Sequence, residues 1–353
     1  MENKQTYHEH TDIENTLRLR QVLATLPPFC KDYFRAIDAT TTAKTRISYA
    51  YDIRIFFQFL LETNPSLKDK SMPDLTVQVL DQVKAMDLEE YQEYLKVYQN
   101  HNADKLETNG ERGLKRKVSA LRSFYAYYYK REMIETNPSV LVDVPKIHEK
   151  NIIRLDADEV ALLLDHIEHA GDSLTGQKRV FWEKTKERDL AIVTLLLGTG
   201  IRVSECVGLD IEDVDFKNNG IKVTRKGGNE MVVYFGPEVE KALKAYLEVR
   251  ENITPLSNHE HALFYSAQRK RIGVQAIENL VKKYAREITT TKKITPHKLR
   301  STYGTALYQE TGDIYLVADV LGHRDVNTTK KHYAALDDAR RRQAATAVKL
   351  RED

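Results

Sequence analysis

The stretch RDLAIVTLLLGTGIRVSECVGL, residues 188–209, joins a strongly apolar run to a glycine-bounded turn. Leucine, isoleucine and valine dominate its first half, which predicts a buried helix that ends at Gly198 or Gly200. A second helix is predicted to begin near Arg202, among residues that are mostly apolar. A guanidinium group in such surroundings needs a partner. That partner is either a neighbouring side chain such as Glu205 or an anionic ligand.

The length of 353 residues favours two domains, with three as the alternative. Hydrophobic residues make up 41% of the chain, which is enough to form buried cores. The longest apolar run, residues 190–198, is about half as long as the ~20 residues that span a membrane. No signal peptide is visible in the sequence. Cys30 and Cys206 form no CxxC pair, which argues against a disulfide scaffold or a Cys-type zinc site. We therefore expect a soluble cytoplasmic protein without a membrane partner.

Binding to nucleic acid would have to come from a local patch, because 54 basic and 52 acidic residues give a net charge of only +2. Residues 111–132 are predicted to form an amphipathic helix. Lys115, Ser119 and Arg122 share a face of this helix that differs from its apolar face. Lysine and arginine neutralise phosphates, and serine donates hydrogen bonds to them. This face is either a DNA-backbone contact or an ordinary solvated surface.

The rest of the chain is predicted to be mainly helical, with one β-hairpin. A turn-prone GGN between apolar runs predicts the hairpin at residues 220–236. The proline-containing segment 136–151 predicts a linker, which places a domain boundary near residues 145–152. A polar insertion at residues 168–189 contains Trp182, the single tryptophan. Helices are also predicted at residues 41–62, with Thr41 or Thr42 as the N-cap, at 88–99, at 154–167 and from 239 onward.

Four short islands of sequence carry side chains that suit a phosphodiester. They contribute, in chain order, Arg202, Lys226, His297, Arg300, His323 and Tyr333. Taken singly, each island has an ordinary structural explanation, such as an ion pair or a solvated hairpin tip. The start of one predicted helix, Thr295-Pro296, suits an anion because its backbone amides are unpaired and a histidine and an arginine follow in the first turn.

Together the islands supply what phosphoryl transfer to a tyrosine requires. A phenol with a pKa near 10 needs help with its proton before it can attack at neutral pH. The attacked phosphodiester becomes doubly anionic, and bidentate arginines are its expected stabilisers. The leaving 5′-oxygen needs an acid, for which Lys226 is the candidate. Since no DxD-type carboxylate cluster lies within these four islands, the sequence gives little support to a metal-dependent nuclease.

The order of these residues resembles that of the tyrosine recombinases, or integrases. The pattern in that family is an arginine in a TG-[LI]-R-xSE segment, a hairpin lysine, an HxxR pair, a GH and a downstream tyrosine, and all are present here over roughly residues 35–340. The resemblance implies a mainly α fold with a small β-hairpin or sheet, as a two-domain C-shaped clamp. It divides the chain into an N-terminal extension (1–34), a SAM-like helical DNA-binding domain (35–147), a catalytic domain (152–340) and a tail helix that docks on a neighbouring subunit (341–353).

The resemblance also implies the roles of the site residues. Tyr333 attacks the scissile phosphate and forms a 3′-phosphotyrosyl bond. Arg202 and Arg300 hold the non-bridging oxygens, and the two histidines bind the phosphate and assist proton transfer. The hairpin lysine protonates the 5′-hydroxyl. Because the covalent bond conserves the energy of the phosphodiester, the resemblance implies neither a cofactor nor a metal.

Within the family, the single N-terminal domain resembles the Xer recombinases, and two departures resemble the single-recombinase XerS type. One is the insertion at residues 168–189, and the other is Tyr333, which lies one position farther from His323 than in many relatives. Ser301 also stands where relatives often carry a histidine. This type implies resolution of chromosome dimers at a dif-like site in double-stranded DNA. The implied assembly is a homotetramer, with a septal FtsK-type translocase as a further partner.

Three alternatives use similar residues. A phage or mobile-element integrase has the same catalytic core. A type IB topoisomerase shares the chemistry but generally has lysine where His297 stands. An inactive DNA-binding protein would be expected to have lost part of the cluster, which is complete here. If Tyr333 is not the nucleophile, Tyr308 and Tyr315 are the next candidates.

Overall fold

The computed structural model describes residues 6–100, 105–148, 152–225, 228–323 and 325–326. The chain divides into two compact units, residues 1–150 and 151–353. Within these described ranges, both units are mainly helical and each contains one small antiparallel sheet, which confirms the predicted fold class.

In the part of the first unit that the structure describes, there are five α-helices and a two-stranded sheet. They are α1 (Tyr7–Leu23), α2 (Cys30–Ala36), α3 (Ala43–Thr63), α4 (Ala85–Tyr94), β1 (Val97–Asn100), β2 (Lys105–Thr108) and α5 (Glu111–Lys130). Thr42 caps α3 by accepting a hydrogen bond from the amide of Thr45 at 3.3 Å. The core contains rings of Phe56, Phe57 and Phe124 in edge-on or tilted contact, which burial and ring geometry both favour.

One sequence prediction for the first unit is wrong in detail. The helix predicted at 88–99 ends at Tyr94, because the next residues pair with β2 and Tyr98 is buried in the process. Tyr33 and Phe34 of α2, which precede the predicted domain boundary at residue 35, are buried in the same core as residues of α3 and α5. The predicted bounds 1–34 and 35–147 stay a prediction.

Among its described residues, the second unit contains seven α-helices and a three-stranded sheet. They are α6 (Ala157–His169), α7 (Gly176–Thr199), α8 (Val203–Gly208), β3 (Val214–Asp215), β4 (Gly220–Thr224), β5 (Glu230–Tyr234), α9 (Pro237–Arg250), α10 (Val274–Ile288), α11 (Pro296–Thr311) and α12 (Ile314–Leu321). The strand order is β3-β4-β5, and β4 and β5 form the predicted hairpin.

The predicted insertion at residues 168–189 is largely the first half of α7, which begins twelve residues before the expected start of that helix. The indole of Trp182 is buried and donates a hydrogen bond to the carbonyl of Ile167 at 3.0 Å. A Cβ atom at Gly171 would lie 2.1 Å from this ring, so only glycine leaves room for it. The segment therefore packs α7 against α6 rather than forming a separate polar excursion.

The prediction of continuous helix after residue 239 is wrong for residues 251–273, which contain no helix. Arg250, the last residue of α9, donates to the carbonyls of Glu260 and Ala262 at 2.8 Å and of Leu263 at 3.1 Å. These bonds satisfy backbone acceptors that a helix would satisfy internally. A buried arginine thus holds an extended loop against the unit.

Candidate active site

The turn between α7 and α8 depends on Gly200. This residue has φ +62°, and a Cβ atom there would lie 2.4 Å from Cδ1 of Tyr303 on α11. Glycine is required for both reasons, since the left-handed region is costly for other residues and the space is occupied. The tight turn brings the start of α8, where Arg202 is the N-cap, close to α11.

Replacement of Gly200 by alanine is expected to destabilise the second unit by at least about 2 kcal/mol, from left-handed strain and the contact with Tyr303. The measurement is urea unfolding followed by the fluorescence of Trp182, the single tryptophan. Gly228→Ala is the matched control, since Gly228 has φ +82° but open space around its Cβ position. Equal losses in both variants would contradict the packing argument.

Arg202 is held by Glu205, as one reading of the sequence expected. Its Nη1 donates to Oε1 of Glu205 at 2.7 Å, and its backbone amide donates to Oε2 at 2.8 Å. The Glu205 side chain is 3% exposed and that of Arg202 is 36% exposed. The buried carboxylate therefore orients the guanidinium group while part of the arginine stays accessible, so the ion pair and an anionic ligand are compatible.

Arg300 lies in the first turn of α11 and is 4% exposed. Its Nη1 donates to the carbonyl of Gly200 at 2.5 Å, and its Nη2 donates to the carbonyl of Leu321. Thr295 occupies the N-cap position of α11 without a side-chain capping bond, and His297 is exposed in the same first turn. The structure therefore brings Arg300 to the α7–α8 turn that orients Arg202.

Two of the predicted site arginines bind backbone carbonyls at the carboxyl end of α12. Arg202 Nη2 donates to the carbonyl of Gly322 at 3.3 Å, next to the Leu321 carbonyl that Arg300 binds. Gly322 has φ +60° and ends the helix, and the amide of His323 donates to the carbonyl of Ala318 at 2.9 Å. Arg202, Arg300 and His323 thus lie around one helix end, and their common catalytic role stays a prediction.

A third arginine reaches the same helix end, and sequence reasoning missed it. Arg225 follows β4, and its Nη2 donates to the carbonyl of Val320 at 2.8 Å. Burial lowers the pKa of Arg225 below its usual value, while the nearby carboxylate of Glu205 acts in the opposite direction. The signal in the sequence was its position directly before the hairpin lysine.

Several predicted functional residues lie outside the described residues. These are Lys226, Tyr333 and the tail at 341–353. Their roles stay predictions. In the part of the chain that the structure describes, no group of three or more His, Cys, Asp or Glu side chains could hold a metal ion. No helix among those residues is long and apolar enough to cross a membrane.

The predicted DNA-binding face of α5 has two kinds of residue. Lys115 and Ser119 are exposed, and the Ser119 hydroxyl donates to the carbonyl of Lys115 at 2.8 Å. Arg122 is half-buried, and its Nε donates to the carbonyl of Ser139 at 3.0 Å while its Nη2 donates to that of Val142. Arg122 therefore ties α5 to the segment that follows it, and its contact with DNA stays a prediction.

Comparison with known proteins places these features in a family. Residues 153–340 match the phage integrase family. The chain is 32% identical to the tyrosine recombinase XerC of Caldanaerobacter subterraneus subsp. tengcongensis, a match that covers 93% of this chain and 88% of the relative. It is 30% identical to the tyrosine recombinase XerS of Lactococcus lactis subsp. cremoris, with 90% and 93% covered.

Among solved structures, the fold is similar to that of the XerH site-specific recombinase in a post-cleavage complex with a palindromic difH substrate. The TM-score is 0.65 at 20% identity, and the match covers 98% of this chain and 91% of that chain. The family match, the two relatives and this fold agree with one another. The chain belongs to the phage integrase family and is a tyrosine recombinase of the Xer type, an enzyme that cleaves and rejoins DNA.

Proposed function

We propose that this recombinase acts through a covalent 3′-phosphotyrosyl bond formed by Tyr333. The observation that carries the proposal is the convergence of Arg202, Arg300 and His323 on the end of α12. Three elements that are distant in sequence, the α7–α8 turn, α11 and α12, supply these groups. Such a cluster suits the anion that develops when a phosphodiester is attacked.

The two arginines stabilise the non-bridging oxygens of the scissile phosphate in this proposal. Glu205 supports that role because it fixes the guanidinium of Arg202 through two hydrogen bonds, at 2.7 and 2.8 Å. His297 and His323 bind the phosphate and assist proton transfer, and Lys226 protonates the leaving 5′-oxygen. The attacking Oη replaces the 5′-oxygen on phosphorus, so the reaction needs no external energy source.

We further propose that the substrate is a dif-like site in double-stranded DNA and that the role is resolution of chromosome dimers in the cytoplasm. The support is the similarity to relatives named XerC and XerS. Residues 35–147, including Lys115, Ser119 and Arg122, would bind DNA in a homotetramer. The tail at 341–353 would dock on the neighbouring subunit, and an FtsK-type translocase would activate the assembly.

The test is covalent trapping on a nicked suicide duplex, run in the presence of EDTA. A candidate dif-like site from the chromosome terminus of the host is compared with the attachment site of a resident mobile element and with a scrambled duplex. We expect a protein–DNA adduct on denaturing gels with the dif-like site alone. An adduct with the attachment site alone would favour an integrase.

Relaxation of supercoiled plasmid without a specific site would instead indicate a topoisomerase. Tight binding to the dif-like duplex without any adduct, with or without added translocase, would contradict the proposed chemistry. The translocase arm is needed because a recombinase that waits for its partner would otherwise be scored as inactive.

A further inference from the structure

Three arginines bind three successive carbonyls at the carboxyl end of α12. Arg225 binds that of Val320, Arg300 that of Leu321 and Arg202 that of Gly322. Like charges brought together in this way repel one another, but a helix carboxyl end carries partial negative charge and unpaired carbonyls. The carbonyls at the helix end therefore stabilise the three guanidinium groups, and the hydrogen bonds from these groups fix the position of the helix end.

Arg225 packs so closely against Gly322 that position 322 has no room for a side chain. A Cβ atom at position 322 would lie 1.1 Å from Nη1 of Arg225 and 2.2 Å from its Cζ. Gly322 also has φ +60°, so the residue before His323 must be glycine on two independent grounds. The guanidinium group thus lies directly on the turn that carries His323.

The backbone of Arg225 is held as well. Its amide donates to the carbonyl of Asn229 at 2.8 Å, and its carbonyl accepts from the amide of Gly228 at 3.0 Å. These bonds close the end of the β4–β5 hairpin. The Nε and Nη1 atoms of Arg225 are buried and have no hydrogen-bond partner among the described residues. Burying donors without a partner costs free energy.

We propose that Arg225 is a positioning residue for DNA cleavage, which fixes the Leu321–His323 turn against the β-hairpin and thereby places His323 beside Arg202 and Arg300. The inference rests on the proposed function of His323. Arg225 acts through the turn and does not itself touch the phosphate. Lysine cannot replace it, because a single ammonium cannot both bind the Val320 carbonyl and lie flat on Gly322.

The experiment is a double-mutant cycle with Arg225→Ala, His323→Ala and the double variant. Single-turnover cleavage of the suicide duplex, DNA affinity and the unfolding midpoint from Trp182 fluorescence are measured for each. We expect Arg225→Ala to lower the cleavage rate about 100-fold, with DNA affinity unchanged within about twofold. In the His323→Ala background, the loss of Arg225 is expected to cost no further rate.

Two further variants keep the inference falsifiable if Arg225→Ala folds poorly. Arg225→Lys is expected to fold well and still to cleave about tenfold more slowly than the unmodified chain. Lys222→Ala removes an exposed cation from β4 of the same hairpin and is expected to leave cleavage unchanged. A normal rate in Arg225→Lys would overturn the positioning role.

Additive losses in the cycle would also overturn it, because Arg225 would then act independently of His323. DNA binding is also measured at several salt concentrations. If the slope of log K against log salt concentration falls by about one unit in Arg225→Ala, Arg225 contacts a phosphate directly instead. Unchanged cleavage in His323→Ala would overturn the assigned role of the histidine and the inference with it. Failure of the unmodified chain to form any adduct would overturn the proposed function itself.

Discussion

Tyr333→Phe is expected to abolish the covalent protein–DNA adduct while DNA binding stays within about twofold of the unmodified chain. Phenylalanine keeps the size and the apolar ring of tyrosine but lacks the Oη atom that forms the ester with phosphorus. The loss should therefore be complete within the detection limit of the gel, corresponding to a rate decrease of roughly 10⁴-fold or more. The measurement is adduct formation on the suicide duplex beside a gel-shift titration.

Two other tyrosines are the matched controls. Tyr308 is buried in α11 at 8% exposure, where a phenol cannot reach a DNA phosphate, and Tyr315 is 71% exposed on α12. Tyr308→Phe and Tyr315→Phe are both expected to form the adduct at normal yield. If the adduct persists in Tyr333→Phe and disappears in Tyr315→Phe, the nucleophile has been assigned to the wrong tyrosine.

Local signals in the sequence were enough to predict the helix and the hairpin that carry site residues. The apolar run before Gly200 predicts a buried helix with a sharp end, and the GGN turn predicts the β4–β5 hairpin. Both were confirmed, because a glycine after an apolar helix and a turn-prone GGN between two apolar runs each have few structural alternatives. The short strand at Val97–Asn100 was missed because it exists only through its pairing with β2.

The sequence did not predict in the same way that the site residues lie together at the end of α12. Residue types and their order suggested Arg202, Arg300 and His323, but the carbonyls they meet belong to a helix end fixed by tertiary packing. Gly322 reads as an ordinary helix terminator. Its second requirement, the space taken by Arg225, appears only when the hairpin is folded against α12.

Arg300→Ala is expected to reduce cleavage per folded molecule by about 10³-fold, as for the removal of a donor to a developing oxyanion. It should also destabilise the second unit by about 2–4 kcal/mol, because the Gly200 and Leu321 carbonyls lose their donor in a buried site. The two effects must be separated, since unfolding alone would lower the apparent rate. Cleavage is therefore normalised to the folded fraction given by Trp182 fluorescence.

Arg250→Ala is a matched control for the loss of stability expected in Arg300→Ala. It is also a buried arginine, 9% exposed, and binds backbone carbonyls of Glu260, Ala262 and Leu263, but none of its partners belongs to the predicted site. Arg250→Ala should lose similar stability and retain near-normal cleavage per folded molecule. Equal rate losses in Arg250→Ala and Arg300→Ala would reduce Arg300 to a structural role. A large difference between them would instead assign Arg300 to the catalytic site, beyond its contribution to stability.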